Sequence, residues 1–271
     1  MTTPSTLNLD AYLDRIGYDG PRDVSIETLA ALHTAHLASI PFENLDVLLG
    51  RGIRLDIESL QAKLVDRRRG GYCFEQNTLF AAVLRHLGFR VTTLEARVRP
   101  PGATHTLPRT HMVLRVDLPA REVLVDVGFG GDGPLEPVDL DGRVSEQGGD
   151  AYRIVEEGAI RVLQIRGADG WRDLYAFTLG EALPIDFEVA NHYTSTWPES
   201  PFVTTLTAQL SLTDERRILR HRTLTVRRCG VETTRQIEDP ELPDLLRETF
   251  GIDAPDDSDL EALFTNIALR R

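Results

Sequence analysis

Two cysteines in 271 residues are too few for a disulfide scaffold, and neither belongs to a Cys-x-x-Cys pair of the kind that binds zinc. No stretch approaches the roughly 18 unbroken apolar residues of a membrane span. The opening MTTPSTLNLDAYL lacks the basic and apolar segments of a secretory signal. Cationic charge is scarce: 30 Lys and Arg against 42 Asp and Glu leave a formal net charge of −12. Nucleic acid, which is bound through cationic surface, is a poor match. Repeats and low-complexity segments are missing as well. These absences leave a cytosolic enzyme or binding protein, with no metal, nucleic acid or membrane expected. The oligomeric state has no signal in the sequence.

What is present is ordinary in bulk and unusual in one place. Hydrophobic residues make up 41% and charged residues 27%, enough core for one large domain or two to three small ones. The first ninety residues carry helical spacing. Asn8 and Ser25 are positioned to cap two helices, the second stopped by Pro41. Asp56 begins a third, with Leu60, Leu64 and Val65 facing inward. A fourth starts near Cys73 and ends at Gly88. Thereafter the period shortens: FRVTTLEARV, HMVLRVDL and REVLVDVGF are expected strands, followed by AYRIVEE, AIRVLQIRG and DLYAFTL. PIDFEVANHYTST is an expected connecting helix. Strands at VTTLTAQLSL and HRTLTVRR and helices at PELPDLLRETF and DLEALFTNIAL complete the chain. Helices first, then strands, then a mixture, predicts an α+β fold with segregated regions.

The unusual place is RGGYCFEQN, residues 69–77. A thiol attacks as thiolate, and a free one titrates at about 8.5. A helix N-terminus and a neighbouring imidazolium both stabilise the anion. Cys73 has the first and follows the basic run Arg67-Arg68-Arg69 and two glycines that permit close approach of a ligand. Buried cysteines are more often inert, and Cys229, in RRCG, keeps that reading. A histidine partner comes from a separate element. His33 and His36 lie on the second helix as packing residues, and His86 is more than three turns along the cysteine's own helix. His105 sits in a Pro/Gly loop and His221 borders a late strand. His111 opens HMVLRV, and the next strand, VLVDV, carries Asp126, a buried acid that needs a partner. Adjacent antiparallel strands can set His111 beside Asp126, making Cys73, His111 and Asp126 a candidate triad.

GFGGDG, residues 128–133, matches a dinucleotide fingerprint. That site needs a helix opening at its last glycine, and PLEPVDLDG with two prolines follows instead. The glycines are expected to form a turn beside the active site, with Phe129 projecting into a pocket.

Taken together, IPFENLDV, RRGGYCFEQN, THMVLRV, VDVGFGG and NHYTSTWPESPF resemble the bacterial arylamine N-acetyltransferases. The resemblance spans about 160 residues in that family's order and weakens over the last sixty. It implies an N-terminal helical bundle (1–88), a central antiparallel β-barrel-like region (89–184), a connecting helix and loop (185–203) and an α/β lid (204–271), around a cysteine-protease-like core. It implies a Cys–His–Asp triad on Cys73, His111 and Asp126, an acceptor pocket lined by Phe42, Phe129 and Phe202, and a structural ion pair between Arg69 and Glu43. Contacts to coenzyme A are implied at Thr110, Gly130 and Gly131. Trp197 departs from the smaller or polar residue usual there, narrowing the acceptor pocket or capping its rim.

The reaction implied is transfer of an acetyl group from acetyl-CoA, a co-substrate rather than a resident cofactor, to a small aromatic amine or hydrazine through acetyl-cysteine. Alternatives are an amide synthase acting on carrier-bound acyl chains and a papain- or transglutaminase-like acyl transferase. Those two protein-directed families share the Cys–His–Asp order but not the IPFEN and GFGG segments.

Overall fold

The computed structural model describes residues 7–167, 169–253 and 257–269. Local chemistry sets the first elements. Asn8 caps α1 (Leu9–Ile16), its side-chain oxygen accepting from the Ala11 N–H at 3.1 Å. Ser25 caps α2 (Ile26–Ser39) in the same way, 3.2 Å from the Thr28 N–H. A two-residue strand, β1 (Phe42–Glu43), and a one-turn helix, α3 (Leu45–Leu48), follow; both are too short to leave a periodic signal. Asp56 caps α4 (Ile57–Leu60), but the expected third helix does not continue as α. Residues Gln61–Asp66 form a π-helical turn, a form found mostly as single turns at functional sites. Then comes α5 (Cys73–His86), with Gly88 at φ 94° after it.

The next eight strands form one antiparallel sheet. They are β2 (Arg90–Val98), β3 (His111–Leu118), β4 (Arg121–Val125), β5 (Val138–Asp139), β6 (Ser145–Gln147), β7 (Asp150–Glu157), β8 (Ile160–Gly167) and β9 (Gly170–Phe177). Their order is β5-β4-β3-β2-β9-β8-β7-β6. The sheet curls into a near-barrel whose interior holds Leu94, Val113, Leu124, Leu163 and Tyr175. The opposite face of β3 and β4, with Met112, Leu114, Val116, Val123 and Val125, packs on the helices. Burial on both faces is why HMVLRV reads as a nearly continuous apolar run rather than an alternating one.

After α6 (Pro184–Thr196), which begins and ends where PIDFEVANHYTST predicts, comes α7 (Pro201–Thr204). The predicted strand VTTLTAQLSL shortens to β10 (Thr207–Ser211) because α7 takes its first residues. With β11 (Glu215–Arg220), β12 (Thr223–Arg228) and β13 (Val231–Gln236), it forms a second sheet of order β1-β10-β11-β12-β13. The two-residue β1, from the first fifth of the chain, is an edge of this sheet, with Phe42 opposite Gln209. Helices α8 (Leu242–Phe250) and α9 (Asp257–Leu269) complete the chain, and Leu246 and Phe250 fill the core over the second sheet.

His33 and His36 do more than pack. Tyr12 donates to His36 Nδ1 at 2.7 Å, and His36 Nε2 lies 2.6 Å from Gln76 Oε1. A carboxamide oxygen only accepts, so the proton sits on Nε2. The Gln76 amide then donates to the main-chain oxygens of Pro41 at 3.0 Å and Gly71 at 3.1 Å. The chain of bonds therefore runs from α1 to the two segments that precede Phe42 and Cys73. Burial drives the pKa of His33 down to about 4 and that of His36 down to about 3.

Both rings are thus neutral in the folded chain and titrate at about 6.5 once unfolded. Below that pH the unfolded state binds more protons, so stability falls as pH drops from about 6.5 towards 4, by up to about 1.4 kcal/mol per pH unit for each ring. Thermal melts should show Tm declining steadily across this window; a flat Tm would contradict the burial of two neutral imidazoles.

Candidate active site

Glycines bring three segments together at the start of α5. A Cβ on Gly70 would lie 2.0 Å from the Pro41 carbonyl oxygen, and one on Gly128 would lie 2.7 Å from Cys73 Cα. Only glycine fits either position. Cys73 is the first residue of α5 and is 2% exposed. Its Sγ lies 3.7 Å from the Thr110 carbonyl oxygen, and the ring of the next residue, His111, is close enough for the two groups to act on each other electrostatically. His111 Nε2 is 2.7 Å from Asp126 Oδ2. That bond leaves Nδ1 as the ring nitrogen for the sulfur.

Histidine and aspartate are not the cross-strand pair the sequence suggested. His111 stands opposite Ala96 on β2, and Asp126 lies one residue beyond the end of β4. The register that pairs Leu114 with Val125, carried one step further, sets Asp126 against Val113. His111 is therefore diagonal to Asp126, on the same face of the sheet.

Sequence reasoning missed the residues that hold Asp126. Asn77 donates through Nδ2 to Asp126 Oδ1 at 2.9 Å and to the Met112 carbonyl at 2.8 Å, and accepts from the Val127 N–H at 3.1 Å. The Gly128 N–H donates to the same Oδ1 at 2.9 Å. The Asp126 N–H in turn donates to His33 Nε2 at 3.3 Å, while His33 Nδ1 faces the Leu135 carbonyl at 2.8 Å. Asn77 was readable, because i and i+4 on one helix share a face and Cys73 is four residues earlier. Burial acts to raise the Asp126 pKa, but the His111 charge and the donors outweigh it and hold the carboxyl below its usual range. Burial likewise acts to lower His111, yet Asp126 and Cys73 overturn it and raise the ring to about 10.

Beneath the cysteine lies an ion network. Arg69 donates to Glu43 Oε1 at 2.7 Å through its Nη2, the pairing the sequence suggested. Lys63, missed earlier, reaches Asp46 at 2.7 Å and Glu75 at 2.8 Å from a nearly buried position. It follows Leu60 by three residues, so it sits on the apolar stripe where an unpaired lysine is not tolerated. Glu75 Oε2 also accepts from the Tyr72 N–H at 3.1 Å, closing the first turn of α5.

Of the pocket candidates, Phe42 and Phe202 are in contact at 5.9 Å between ring centres, with Tyr72 5.4 Å from Phe202. Phe129 belongs to another cluster, 5.3 Å from His111 and 5.1 Å from Tyr175. Gly130 links the two, since a Cβ on it would be 3.3 Å from the Phe42 ring. Gly131 has both main-chain groups engaged: its N–H donates to Gln209 Oε1, and its oxygen accepts from Arg216 at 2.6 Å. Trp197 stacks on Tyr193 at 5.6 Å and is 46% exposed; its ring is a surface group. No dinucleotide-type helix follows Gly133. A cavity of about 670 Å³ under the loop 99–109 includes Arg97, Arg99, Arg109 and Arg172 but none of Cys73, His111 or Asp126. Among the described residues, no group of three or more His, Cys, Asp or Glu is arranged to hold a metal ion, and no helix is long and apolar enough to cross a membrane.

Comparison with known proteins agrees over nearly the whole chain. Residues 25–258 match the model of the N-acetyltransferase family. The arylamine N-acetyltransferase of Mycobacterium tuberculosis is 44% identical over 269 residues, covering 96% of this chain and 95% of that protein. The solved structure of the arylamine N-acetyltransferase from M. tuberculosis superposes with a TM-score of 0.89 at 42% identity, covering 96% of this chain and 99% of the other. The Mycobacterium marinum arylamine N-acetyltransferase in complex with CoA gives 0.89 at 39% identity, with 97% and 99% coverage.

The raised pKa of His111 has a sign that can be tested. Its folded value of about 10 exceeds the unfolded one, so the pair's contribution to stability is fully present below about pH 6.5 and lost as pH rises through about 10. Ring ¹⁵N shifts should therefore show His111 as imidazolium at pH 8; a midpoint close to 6.5 would contradict the charge pair.

Proposed function

Since the chain belongs to the N-acetyltransferase family, we propose that it transfers an acetyl group from acetyl-CoA to the nitrogen of an arylamine or arylhydrazine, through an acetyl-cysteine on Cys73. The observation that carries this reading is the thiol on the first turn of α5 next to an imidazole whose far nitrogen is bound to a buried carboxylate. The catalytic roles are Cys73 as nucleophile, His111 as proton carrier and Asp126 as the group that orients and charges the ring.

In the first half-reaction the Cys73 thiolate attacks the thioester carbonyl. Thioester exchange is close to isoenergetic, so sulfur suits this donor. The tetrahedral oxyanion collapses, the C–S bond to coenzyme A breaks, and His111 gives its proton to the departing thiolate. In the second, the amine nitrogen attacks acetyl-cysteine, and the now neutral His111 takes the amine's proton as Cys73 leaves. As the first helical residue, Cys73 carries an N–H with no intrahelical acceptor, a donor for the oxyanion in both steps. An arylamine is mostly uncharged at neutral pH, so Phe42, Phe202 and Phe129 receive it without a counter-charge. Thr110 and Gly130 are assigned to the acetyl-CoA side through main-chain groups. Gly131, whose N–H and carbonyl are already bonded, has neither group left for acetyl-CoA and instead shapes the turn that carries Phe129.

The same reading divides the chain into a helical bundle (1–88), a barrel-like region (89–184), a connector (185–203) and an α/β lid (204–271), with a cysteine-protease-like core; β1 is the segment the bundle contributes to the lid's sheet. Two unpaired cysteines fit a reducing compartment such as the cytoplasm.

Acetyl-CoA alone should add one acetyl group, on Cys73, by intact-mass and peptide analysis. An adduct elsewhere, or none, overturns the mechanism. Initial-rate plots against both substrates should be parallel, and Cys73→Ser should fail to acetylate, because a hydroxyl is far less ionised than a thiol. Asp126→Asn should lower kcat by about 10³-fold or more; full activity in that variant would remove Asp126 from the mechanism.

A further inference from the structure

We propose that Gln209 and Arg216, both on the second sheet and remote from Cys73 in sequence, are positioning residues that fix the width of the acceptor cleft; this rests on the functional reading above.

The acceptor cleft assigned in that reading takes its two walls from different parts of the chain. One is Phe42 on β1, its ring tilted against that of Phe202. The other is the glycine turn 128–133, which carries Phe129 against His111. Gly130 and Gly131 take φ of 70° and 38°, a conformation glycine adopts freely and therefore does not hold by itself. Something else must fix it.

Gln209 touches both walls. Its backbone pairs with Phe42 in the β1–β10 ladder, and its side-chain oxygen accepts the Gly131 N–H. Its amide nitrogen donates to Thr207 Oγ1 at 3.0 Å, which fixes the side chain's orientation. Gln209 is 5% exposed, so water does not compete for these bonds.

Arg216, also 5% exposed, holds the turn from its other end. One guanidinium nitrogen donates to the carbonyls of Gly131 at 2.6 Å and Gly133 at 2.9 Å. Its second terminal nitrogen donates to Tyr152 Oη at 2.9 Å and Asp150 at 3.1 Å, both on β7 of the barrel. Between these carbonyls, Asp132 is bonded by Arg172 from the barrel and by Arg227 from the second sheet. A turn with permissive dihedrals is thereby clamped from both sheets. These contacts leave Cys73, His111 and Asp126 untouched, so loosening them changes how an amine is seated more than how sulfur is charged.

The test separates seating from acylation. Gln209→Asn keeps the amide but is one methylene too short to hold Gly131, and Arg216→Lys keeps the charge but loses the fork that joins the Gly131 and Gly133 carbonyls to Tyr152 and Asp150. Both are to be assayed as folded full-length protein beside the parent. Three quantities are measured: Cys73 acetylation by acetyl-CoA alone, KM for the acetyl donor, and KM for a bulky and a small arylamine. Misplacement on the ångström scale costs up to about 10²-fold. The expected result is a KM for amine raised roughly tenfold or more, with altered preference between bulky and small amines and a smaller change in donor KM. Amine KM and preference within twofold of the parent in either folded variant would overturn the proposal. A donor KM that shifts as much as the amine KM would overturn it too. Should one variant fail to fold, the other decides. If the parent itself shows no acetyl-cysteine, the functional reading has failed rather than this inference.

Discussion

A charge on Asp126 is the condition on which the site depends. A carboxylate taken out of water costs several kcal/mol unless donors replace the solvent. Here the donors come from separate elements: His111 from β3, Asn77 from α5, and Gly128 from the turn after β4. His33 on α2 anchors the same residue through its backbone N–H. Because the four partners must meet at one residue, helices, barrel sheet and turn have a single compatible arrangement. The same carboxylate keeps His111 cationic against its burial, so the force that orders the scaffold also charges the ring beside Cys73.

The first helices were legible because their caps are local. Asn8, Ser25 and Asp56 each bond an N–H three residues away, and such chemistry is written in adjacent letters. Cys73 stood out for a similar reason, with glycines before it that the packing against Pro41 and Glu75 now explains. His111 and Asp126 emerged by elimination and by the cost of an acid in an apolar strand. The register between them did not, since a diagonal relation depends on where pairing stops.

The second sheet was the least readable part. Charged ERRILR hides a strand whose Arg216 is buried, because the carbonyls and carboxylate that accept its donors lie 66 to 85 positions away. VETTRQ is exposed along its whole length, so no alternation betrays it. His33 failed for a comparable reason: its partners, Asp126 and Leu135, are 93 and 102 positions distant. Lys63 was missed as well, although a lysine on an apolar stripe is itself a signal. The π-helical turn that bears it places its ammonium between two carboxylates, Asp46 and Glu75, in the floor under Cys73.

The short strand β1 has a consequence for the order of assembly. Asn44, just after it, accepts from the Thr207 N–H 163 positions later, and Phe42 and Glu43 have strand partners equally remote. A ribosome therefore delivers the thiol, the imidazole and the carboxylate well before it delivers the segment that fixes the aromatic wall beside them. Closing so long a loop costs little more entropy than closing one of half its length, but contacts of such separation form late. Nascent chains then carry Cys73, His111 and Asp126 early and close the aromatic wall beside them last.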